Sequence, residues 1–272
     1  SCADAVVTPA EIVKQSFVEQ NKVYYNGSPR NVLVRHQGRV ELPRRSKSEK
    51  VDVKKLEKRF GIEGKKRPKI VMGAGYVQPR KGVDLFIQTA VALRAMTDDD
   101  YKFVWVGGGW NPKDDMGFSV WQNATIEAAG LEDMIEFVDE LPDLDWVFDN
   151  TDVFYLPSRL DPFPNVAIDA FIKRVPVVCY DNATGIAEFI KDLSPSSRVV
   201  PHSDCSAAAK AILEISEKGK KISESEAKGI LKALDWSDYV NYLKDLMVEI
   251  RSRDFDPEVD RDRLPVSDPE FL

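Results

Sequence analysis

Six short segments of this 272-residue chain are apolar along almost their whole length, and helix-like segments separate them. The first is KIVMGAG at 69–75 and the last is SRVV at 197–200. A strand with one face in water alternates polar and apolar residues, whereas a strand that is apolar throughout is buried on both faces. The pattern predicts an α/β fold, a doubly wound, Rossmann-like parallel sheet with flanking helices. The other four strands are expected at 102–109, 134–138, 152–158 and 175–180.

Helices are expected between these strands and on both sides of the series. Near the start, a short strand at 3–8 leads into a helix, and Thr8 with Glu11 three residues later fits a capping box. A second short strand is expected at 31–35. The helices that follow are expected at 52–60, 83–96, 118–129, 143–149, 164–174, 185–191, 205–218, 222–233 and 236–252.

Composition excludes several classes of protein. No apolar run approaches the roughly 18 residues that cross a bilayer, and the first residues lack the pattern of a signal peptide. The three cysteines, Cys2, Cys179 and Cys205, are far apart and odd in number, which disfavours a disulfide framework. With only His36 and His202 in addition, we expect no structural zinc. A reducing, cytoplasmic compartment is the expected location.

Charge is distributed unevenly along the chain. The net charge is −7, yet residues 28–81 hold 17 lysines and arginines against 5 acidic residues. Such a segment favours an anion as ligand. Nucleic acid is disfavoured, because the segment lacks interleaved aromatic residues, zinc-finger spacing and an RNA-recognition signature. A solvated helix face, a phosphate-bearing small ligand and an anionic membrane surface remain as alternatives.

Three glycine-containing loops come directly after predicted strands. GAGYVQPRKG at 73–82 places Arg80 and Lys81 where a helix begins, and a helix N-terminus attracts phosphate. The segment is neither a P-loop nor a clean G-x-G-x-x-G. VGGG at 106–109 and NATGIAEFI at 182–190 are similar loops. Taken singly, each fits a structural turn as well as a ligand site.

A fourth segment, SRLDPFPNVAIDAF at 158–171, combines two carboxylates with a helix start. Asp161 follows a buried strand, and Pro164 suits the first turn of a helix, which leaves backbone donors for an anion. Asp169 is surrounded in sequence by apolar residues, so its carboxylate is expected to need a polar partner such as a sugar hydroxyl. The alternative is that Asp161 caps the helix and Asp169 faces solvent.

In this order, the four segments resemble the C-terminal half of group 1 retaining glycosyltransferases with the GT-B architecture. That family shows G-R-x4-K-G, V-G-x-G, A-D-V-x-x-x-P-S, E-x7-E, G-V-P-V-V and G-x-x-E. The corresponding segments here are GYVQPRKG, VGGG, TDVFYLPS, DPFPNVAID, RVPVVCY and TGIAE. The resemblance covers roughly residues 36–235. It implies sugar transfer from a nucleotide sugar to a saccharide or lipid-linked acceptor with retention, without metal or cofactor.

The resemblance also implies roles for individual residues. Lys81 matches the lysine that grips the donor diphosphate, Asp161 the carboxylate near the reacting carbon of the sugar, and Asp169 the carboxylate on the ribose hydroxyls. These three are the expected catalytic residues. The rest of the expected donor site is Gly75, Tyr76, Arg80, Gly107, Gly108, Phe137, Val138, Phe163, Pro164, Asn165 and Val166.

Four positions depart from the family pattern. Tyr76 stands where the family has an arginine, Asp161 and Asp169 replace glutamates, and Pro164 replaces a glycine. A catalytically inactive GT-B-like binding or scaffold domain is therefore the alternative. A sugar-nucleotide epimerase shares the architecture but not the 158–171 segment, and an NAD dehydrogenase lacks its fingerprint here.

The resemblance implies that the chain covers only part of such an enzyme. Only ADAVVTPAEIVKQSF at 3–17 resembles the end of an N-terminal Rossmann-like domain, which carries the acceptor site in the family. We expect the end of that domain and a linker at 1–35, the nucleotide-sugar-binding domain at 36–235, and a crossover helix and tail at 236–272. The isolated chain is expected to bind donor and transfer little sugar. The expected partners are a nucleotide sugar and an acceptor held by the other domain, with peripheral membrane contact at the inner face left open.

Overall fold

The computed structural model describes residues 4–25, 31–39, 51–64, 66–219 and 221–252. The chain divides into two compact units. One unit comprises residues 1–40 together with 234–272, and the other comprises residues 41–233. Among the described residues, 4–25 and 31–39 thus belong to the same unit as 234–252.

The elements alternate along the described residues as the sequence predicts, with small shifts at their ends. In chain order they are β1 (Val6–Thr8), α1 (Glu11–Tyr25), β2 (Val32–Val34), α2 (Val53–Phe60), β3 (Lys69–Ala74), a 3₁₀ turn (Pro79–Lys81), α3 (Val83–Arg94), β4 (Tyr101–Val106), α4 (Ser119–Ala128), β5 (Ile135–Val138), α5 (Asp145–Asp149), β6 (Val153–Leu156), α6 (Asn165–Ile172), β7 (Val177–Tyr180), α7 (Ile186–Leu193), β8 (Arg198–Val200), α8 (Cys205–Lys218), α9 (Glu224–Ala233) and α10 (Trp236–Ser252).

The larger unit contains a six-stranded sheet in the order β5-β4-β3-β6-β7-β8, and every neighbouring pair is parallel. This confirms the predicted doubly wound sheet. The direction of winding reverses between β3 and β6, where successive crossovers leave to opposite sides. Ligands of such sheets bind beyond the carboxyl ends of the strands at this switch point.

Both faces of the sheet are covered, which explains why its strands are apolar throughout. Val71, Trp105 and Tyr155 belong to a core cluster that includes residues of α3 and α8. The alternate residues Met72 and Phe154 point to the opposite face and have no solvent exposure. Helices α6 and α7 contact the strands, and both also contact α9. Helices α3 and α8 likewise contact each other.

Two glycines allow the loops at the carboxyl ends of the strands to approach closely. Gly82 has φ = 73°, and a Cβ there would lie 2.0 Å from the carbonyl oxygen of Pro157. Gly107 has φ = 148°, and a Cβ there would lie 2.2 Å from the carbonyl oxygen of Gly75. The loops after β3, β4 and β6 are therefore packed backbone against backbone, which fixes the residues they carry.

The smaller unit contains the parallel pair β1–β2 with helices α1 and α10. Thr8 ends β1, and its hydroxyl donates to the carbonyl of Leu33 in β2 (3.2 Å). The guanidinium of Arg35 lies 5.2 Å from the ring centroid of Tyr242 in α10. Among the described residues, no helix is long and apolar enough to cross a membrane.

Candidate active site

A cleft of about 460 Å³ lies at the carboxyl ends of β3 and β4 in the larger unit. It opens where the glycine loops after these strands meet the start of α6. Its charged lining residues are Lys81 and Glu140. The lining residues are Ala74, Gly75, Tyr76, Lys81, Val106, Gly107, Gly108, Glu140, Leu141, Leu144, Pro164, Asn165 and Val166.

Lys81 is held at the cleft by the turn that precedes α3. Its Nζ donates to the Oδ2 atom of Asp161 at 2.5 Å, and its side chain is 15% exposed. The methylene groups of Lys81 run alongside Gly75, where a Cβ would lie 3.2 Å from Cε. The absence of a side chain at Gly75 therefore leaves room for the lysine, and the sequence-predicted cation lies on the cleft wall.

Asp161 follows β6 and lies behind Lys81. Its side chain is 9% exposed, and its backbone N–H donates to the carbonyl of Ala183 at 2.8 Å. The hydroxyl of Ser158 donates to Oδ2 at 3.4 Å, and Arg80 Nη1 lies 3.8 Å from Oδ1. Strands β3 and β6 are neighbours, so residues 80 positions apart in sequence form one cluster.

The start of helix α6 forms another part of the cleft wall. Pro164 is the N-terminal cap, and Pro164, Asn165 and Val166 all line the cleft. The N-terminus of a helix carries a partial positive charge and backbone donors that favour anions. Lys81 and this helix start therefore give one end of the cleft the electrostatic character of an anion site.

The opposite part of the wall is more apolar and follows β5. Leu141 and Leu144 line it together with Glu140. Phe137 is absent from the wall; its ring stacks on Trp110 with centroids 3.6 Å apart and planes 1° from parallel. Val138 is buried, and its carbonyl accepts from the N–H of Gly107 at 2.8 Å. The sequence-predicted pair Phe137 and Val138 thus supports the wall from behind.

Tyr76 lies across the glycine loop after β4 and is 64% exposed. A Cβ at Gly109 would lie 2.8 Å from the tyrosine ring, and Val77 N–H donates to the carbonyl of Gly108 at 2.9 Å. The position that holds an arginine in the family pattern is therefore occupied by an aromatic ring on the cleft wall.

Some predicted donor residues lie away from the wall. Asp169 is exposed on α6, one helical turn after Asn165, and is not among the residues that line the cleft. Phe163 is buried edge to face against Phe189, with centroids 5.3 Å apart. Arg80 is largely exposed, and its Nη1 donates to the carbonyl of Leu160 at 2.9 Å.

Within the described part of the basic segment 28–81, most basic side chains lie away from the cleft. Arg67 and Lys69 lie at the amino end of β3, at the opposite edge of the sheet, where they pair with Asp152 (2.5 Å) and Asp99 (2.7 Å). Arg59 donates to Glu136 and to the carbonyl of Phe137. Segment 40–50 lies outside the described residues. Among the described basic residues of 28–81, Lys81 lines the cleft.

Sequence reasoning missed several residues of the wall. Ala74 and Val106 are strand ends, and Leu144 lies in the loop before α5. Glu140 and Leu141 follow the predicted site residues Phe137 and Val138 closely, but neither was predicted as a site residue. For Glu140, the available signal was a charged residue shortly after a buried strand, the same signal that drew attention to Asp161.

A larger hollow of about 680 Å³ lies between α3 and α4. None of its lining side chains is ionisable; they include Gln88, Val91 and Trp121. Polar chemistry is therefore assigned to the smaller cleft. Within the described ranges, no group of three or more His, Cys, Asp or Glu side chains is arranged to hold a metal ion.

Hydroxyl groups beneath the sheet's carboxyl edge form a buried chain. The hydroxyl of Tyr155 lies 2.9 Å from Thr89 Oγ1 and 2.6 Å from the hydroxyl of Tyr180. Burial raises the pKa of Tyr155 and that of Tyr180 above the ordinary value for a phenol. Both phenols are therefore neutral near pH 7, and they act as structural hydrogen-bonding groups.

Comparisons with known proteins agree with this architecture. Residues 54–231 match the model of the family described as Glycosyl transferases group 1. A 2-deoxystreptamine glucosyltransferase of Streptomyces kanamyceticus is 28% identical over 58% of this chain and 39% of its own length. The lipopolysaccharide core biosynthesis mannosyltransferase LpcC of Rhizobium leguminosarum bv. viciae is 31% identical over 51% of this chain and 38% of its own length. The chain thus spans about two fifths of these relatives.

Solved structures share the fold. The structure of Anabaena Alr3699/HepE in complex with UDP and glucose has a TM-score of 0.71, with 18% identity over 91% of this chain and 64% of that chain. The structure of WaaG, a glycosyltransferase involved in lipopolysaccharide biosynthesis, has a TM-score of 0.59 over 84% of this chain. The parallel sheet with flanking helices is that of GT-B glycosyltransferases. Since the family model also covers more than half of the sequence, this chain belongs to the group 1 glycosyltransferases.

Proposed function

We propose that this chain carries the nucleotide-sugar-binding half of a retaining glycosyltransferase. The observation that supports the proposal is the position of Lys81, which lines the switch-point cleft beside the start of α6 and is paired with Asp161. An acceptor domain would complete the enzyme. The Anabaena protein of similar fold was solved with UDP and glucose, and our proposal extends that class of ligand to this cleft.

The proposed chemistry follows from where negative charge develops. When the bond to the donor sugar breaks, charge accumulates on the diphosphate leaving group. A fixed lysine and a helix N-terminus would stabilise that charge more in the transition state than in the ground state. Lys81 and α6 would supply both, so the proposed transfer requires no metal or cofactor.

Asp161 has two proposed functions in this scheme. Without donor it holds Lys81 at 2.5 Å, which keeps the ammonium group at the cleft wall. With donor bound, the diphosphate would share Lys81, and the carboxylate would become available to the sugar hydroxyls near the reacting carbon. Asp169 on the exposed side of α6 would contact the ribose only if the nucleotide extends over that helix. This difference in placement predicts a larger effect from Asp161 than from Asp169.

The test is nucleotide binding by the isolated chain. A thermal-shift screen with UDP, GDP, ADP and their sugar conjugates would identify a ligand, because a molecule that binds only the native state raises the melting temperature. Calorimetry on Lys81→Ala and Asp161→Ala should then show affinity reduced roughly 10- to 100-fold, the value of a charge-assisted hydrogen bond.

Lys102→Ala is the matched control. Lys102 lies near the amino end of β4 and donates to the carbonyl of Asp133 at 2.7 Å, so its loss should leave affinity unchanged. Equal binding by Lys81→Ala and the wild-type chain would reject the site. Retention would be tested on the completed enzyme by the anomeric configuration of its product.

A second candidate function is a non-catalytic binding or scaffold domain. Tyr76 supports it, because an exposed phenol ring lies on the cleft wall at the position of the family arginine. A phenol cannot neutralise a phosphate. Turnover by the completed enzyme would decide against this candidate, whereas binding without turnover of any nucleotide sugar would support it.

We also infer a cytoplasmic place of action at the membrane's inner face. The lysines of α2 that support this inference, Lys54, Lys55 and Lys58, are all exposed. Several basic side chains on one surface attract anionic lipid headgroups. Co-sedimentation with vesicles of phosphatidylglycerol, compared with phosphatidylcholine vesicles, would test the contact.

A further inference from the structure

Two loops that follow the neighbouring strands β3 and β6 are joined by reciprocal arginine contacts. From the loop after β6, Arg159 donates its backbone N–H to the carbonyl of Arg80 at 2.9 Å and its Nη1 to the carbonyl of Pro79 at 2.7 Å. From the loop after β3, Arg80 donates to the carbonyl of Leu160 at 2.9 Å. The loop after β3 carries Lys81, and the loop after β6 carries Asp161.

The guanidinium of Arg159 is itself fixed by a carboxylate. Its Nη1 and Nη2 donate to Oδ1 and Oδ2 of Asp84 at 2.8 and 2.5 Å, a bidentate pair. Hydrogen bonding to Asp84 raises the pKa of Arg159 above its ordinary value. Asp84 lies in the first turn of α3, three residues after Lys81. One planar side chain from the loop after β6 thus contacts both the turn before α3 and the first turn of α3.

We propose that Arg159, held by Asp84, is a positioning residue that sets the distance between Lys81 and Asp161. Arg159 does not line the cleft, so it acts on the ligand through these two residues. Its planar fork fixes two loops at once, which a lysine at the same position cannot do. The inference rests on the proposed function only for its consequence in nucleotide binding.

The ion pair between Lys81 and Asp161 depends on this support from Arg159. Its two side chains are 15% and 9% exposed, so each has lost much of its hydration. An ion pair in that environment is favourable only when its geometry is good, because desolvation offsets the attraction between the charges. A small movement of either loop would weaken the contact between Lys81 and Asp161.

The first experiment measures the position of Lys81 without any nucleotide. Trace labelling of lysines with acetic anhydride, read by mass spectrometry, reports how accessible and how firmly paired each ammonium group is. Arg159→Gln should raise the labelling rate of Lys81 by about threefold or more, relative to Lys102 in the same sample. Arg159→Lys keeps the charge and should give an intermediate rate.

Arg67→Gln is the matched control, because Arg67 pairs with Asp152 at the amino ends of the same two strands. It removes an arginine–aspartate contact between the same elements at the edge away from the cleft. Its melting temperature should fall by no more than that of Arg159→Gln, because Arg67 makes fewer contacts, and Lys81 labelling should stay at the wild-type rate.

The second experiment measures affinity for UDP, GDP and ADP by calorimetry. Arg159→Gln and Asp84→Asn should each weaken binding about tenfold, and the double variant should be no worse than Arg159→Gln alone, since that change already removes the contact with Asp84. Arg67→Gln should bind as the wild-type chain does.

The outcomes separate the two proposals. If the wild-type chain binds none of the nucleotides while Arg159→Gln still releases Lys81 to labelling, the proposed function fails and the positioning of the pair stands. If Arg159→Gln changes neither labelling nor affinity relative to Arg67→Gln, Arg159 is merely structural and the inference is overturned.

Discussion

The two ends of strands β3 and β6 carry the same kind of contact in different surroundings. At the amino ends, Arg67 and Asp152 form an ion pair at 2.5 Å, with side chains 38% and 33% exposed. At the carboxyl ends, Lys81 and Asp161 also pair at 2.5 Å, with side chains 15% and 9% exposed. The distance is the same, but the second pair has lost much more of its hydration.

The difference lies in what else each carboxylate does. Asp152 also accepts a hydrogen bond from the backbone N–H of Ile70 at 2.7 Å, so it links the residue before β6 to the start of β3. Asp161 accepts from Lys81, which lines the open cleft. The exposed pair fixes the backbone, whereas the sheltered pair places a charge where a ligand can reach it. Opposite edges of the same two strands thus provide stability and a site.

The largest expected effect tests how tightly the carboxyl edge is packed. Gly82→Ala should lower the free energy of unfolding by about 3 kcal/mol or more, because it combines a positive φ with a Cβ 2.0 Å from the Pro157 carbonyl. Urea unfolding would measure the loss. Gly219→Ala is the control: φ is 56°, no atom lies within 4 Å of the added Cβ, and only the backbone strain of about 1 kcal/mol remains. Equal losses of stability in the two variants would show that the loops at the carboxyl edge move aside for the added Cβ at little cost.

A smaller effect tests the amino edge. Asp152→Asn removes the ion pair with Arg67 but keeps an oxygen that can accept from Ile70, so unfolding should become easier by about 1 kcal/mol or less, given the exposure of Arg67. Affinity for the nucleotide identified by thermal shift should not change. Chemical denaturation and calorimetry on the same sample would check both. A tenfold loss of affinity would contradict the division between the two edges.

The smallest effect concerns Asp99, which pairs with Lys69 at the start of β3. The hydrogen bond from Lys69 lowers the pKa of Asp99, so its stabilisation is present above the ordinary carboxyl pKa near 4 and is lost as the pH falls through the lowered folded value. The urea midpoint of the wild-type chain should lie slightly above that of Asp99→Asn at pH 7, and the gap should narrow as the pH falls below the ordinary carboxyl pKa. A gap that widens on acidification would reverse the assigned sign.

Apolar patterning predicted most of the larger unit, because strands buried on both faces have a distinctive composition. It placed the end of β4 too late: pairing stops at Val106, since Gly107 adopts φ = 148° and its loop turns against Gly75. The motifs that resemble the family correctly directed attention to the carboxyl edge. The directions of the side chains at that edge could not be predicted in the same way, because they depend on how several loops pack against one another.

Helical spacing places Asp169 on the same face of α6 as Asn165. Asp169 follows Asn165 by four residues, one turn of α6, and both are exposed, while Ala167, Ile168 and Ala170 are buried. Apolar neighbours in sequence therefore lie on another face of the helix from Asp169. The positions of Arg67 and Arg159 were harder to predict, because a count of charges along the sequence does not show at which end of a strand each side chain lies.

The stacked rings of Trp110 and Phe137 give the molecule an optical property. They lie face to face at 3.6 Å, at the end of the glycine loop whose residues Gly107 and Gly108 form the cleft wall. Indole emission depends on what lies against the ring. A ligand that displaces this loop would change the overlap of the two rings, and tryptophan fluorescence would then report occupancy of the cleft without any added label.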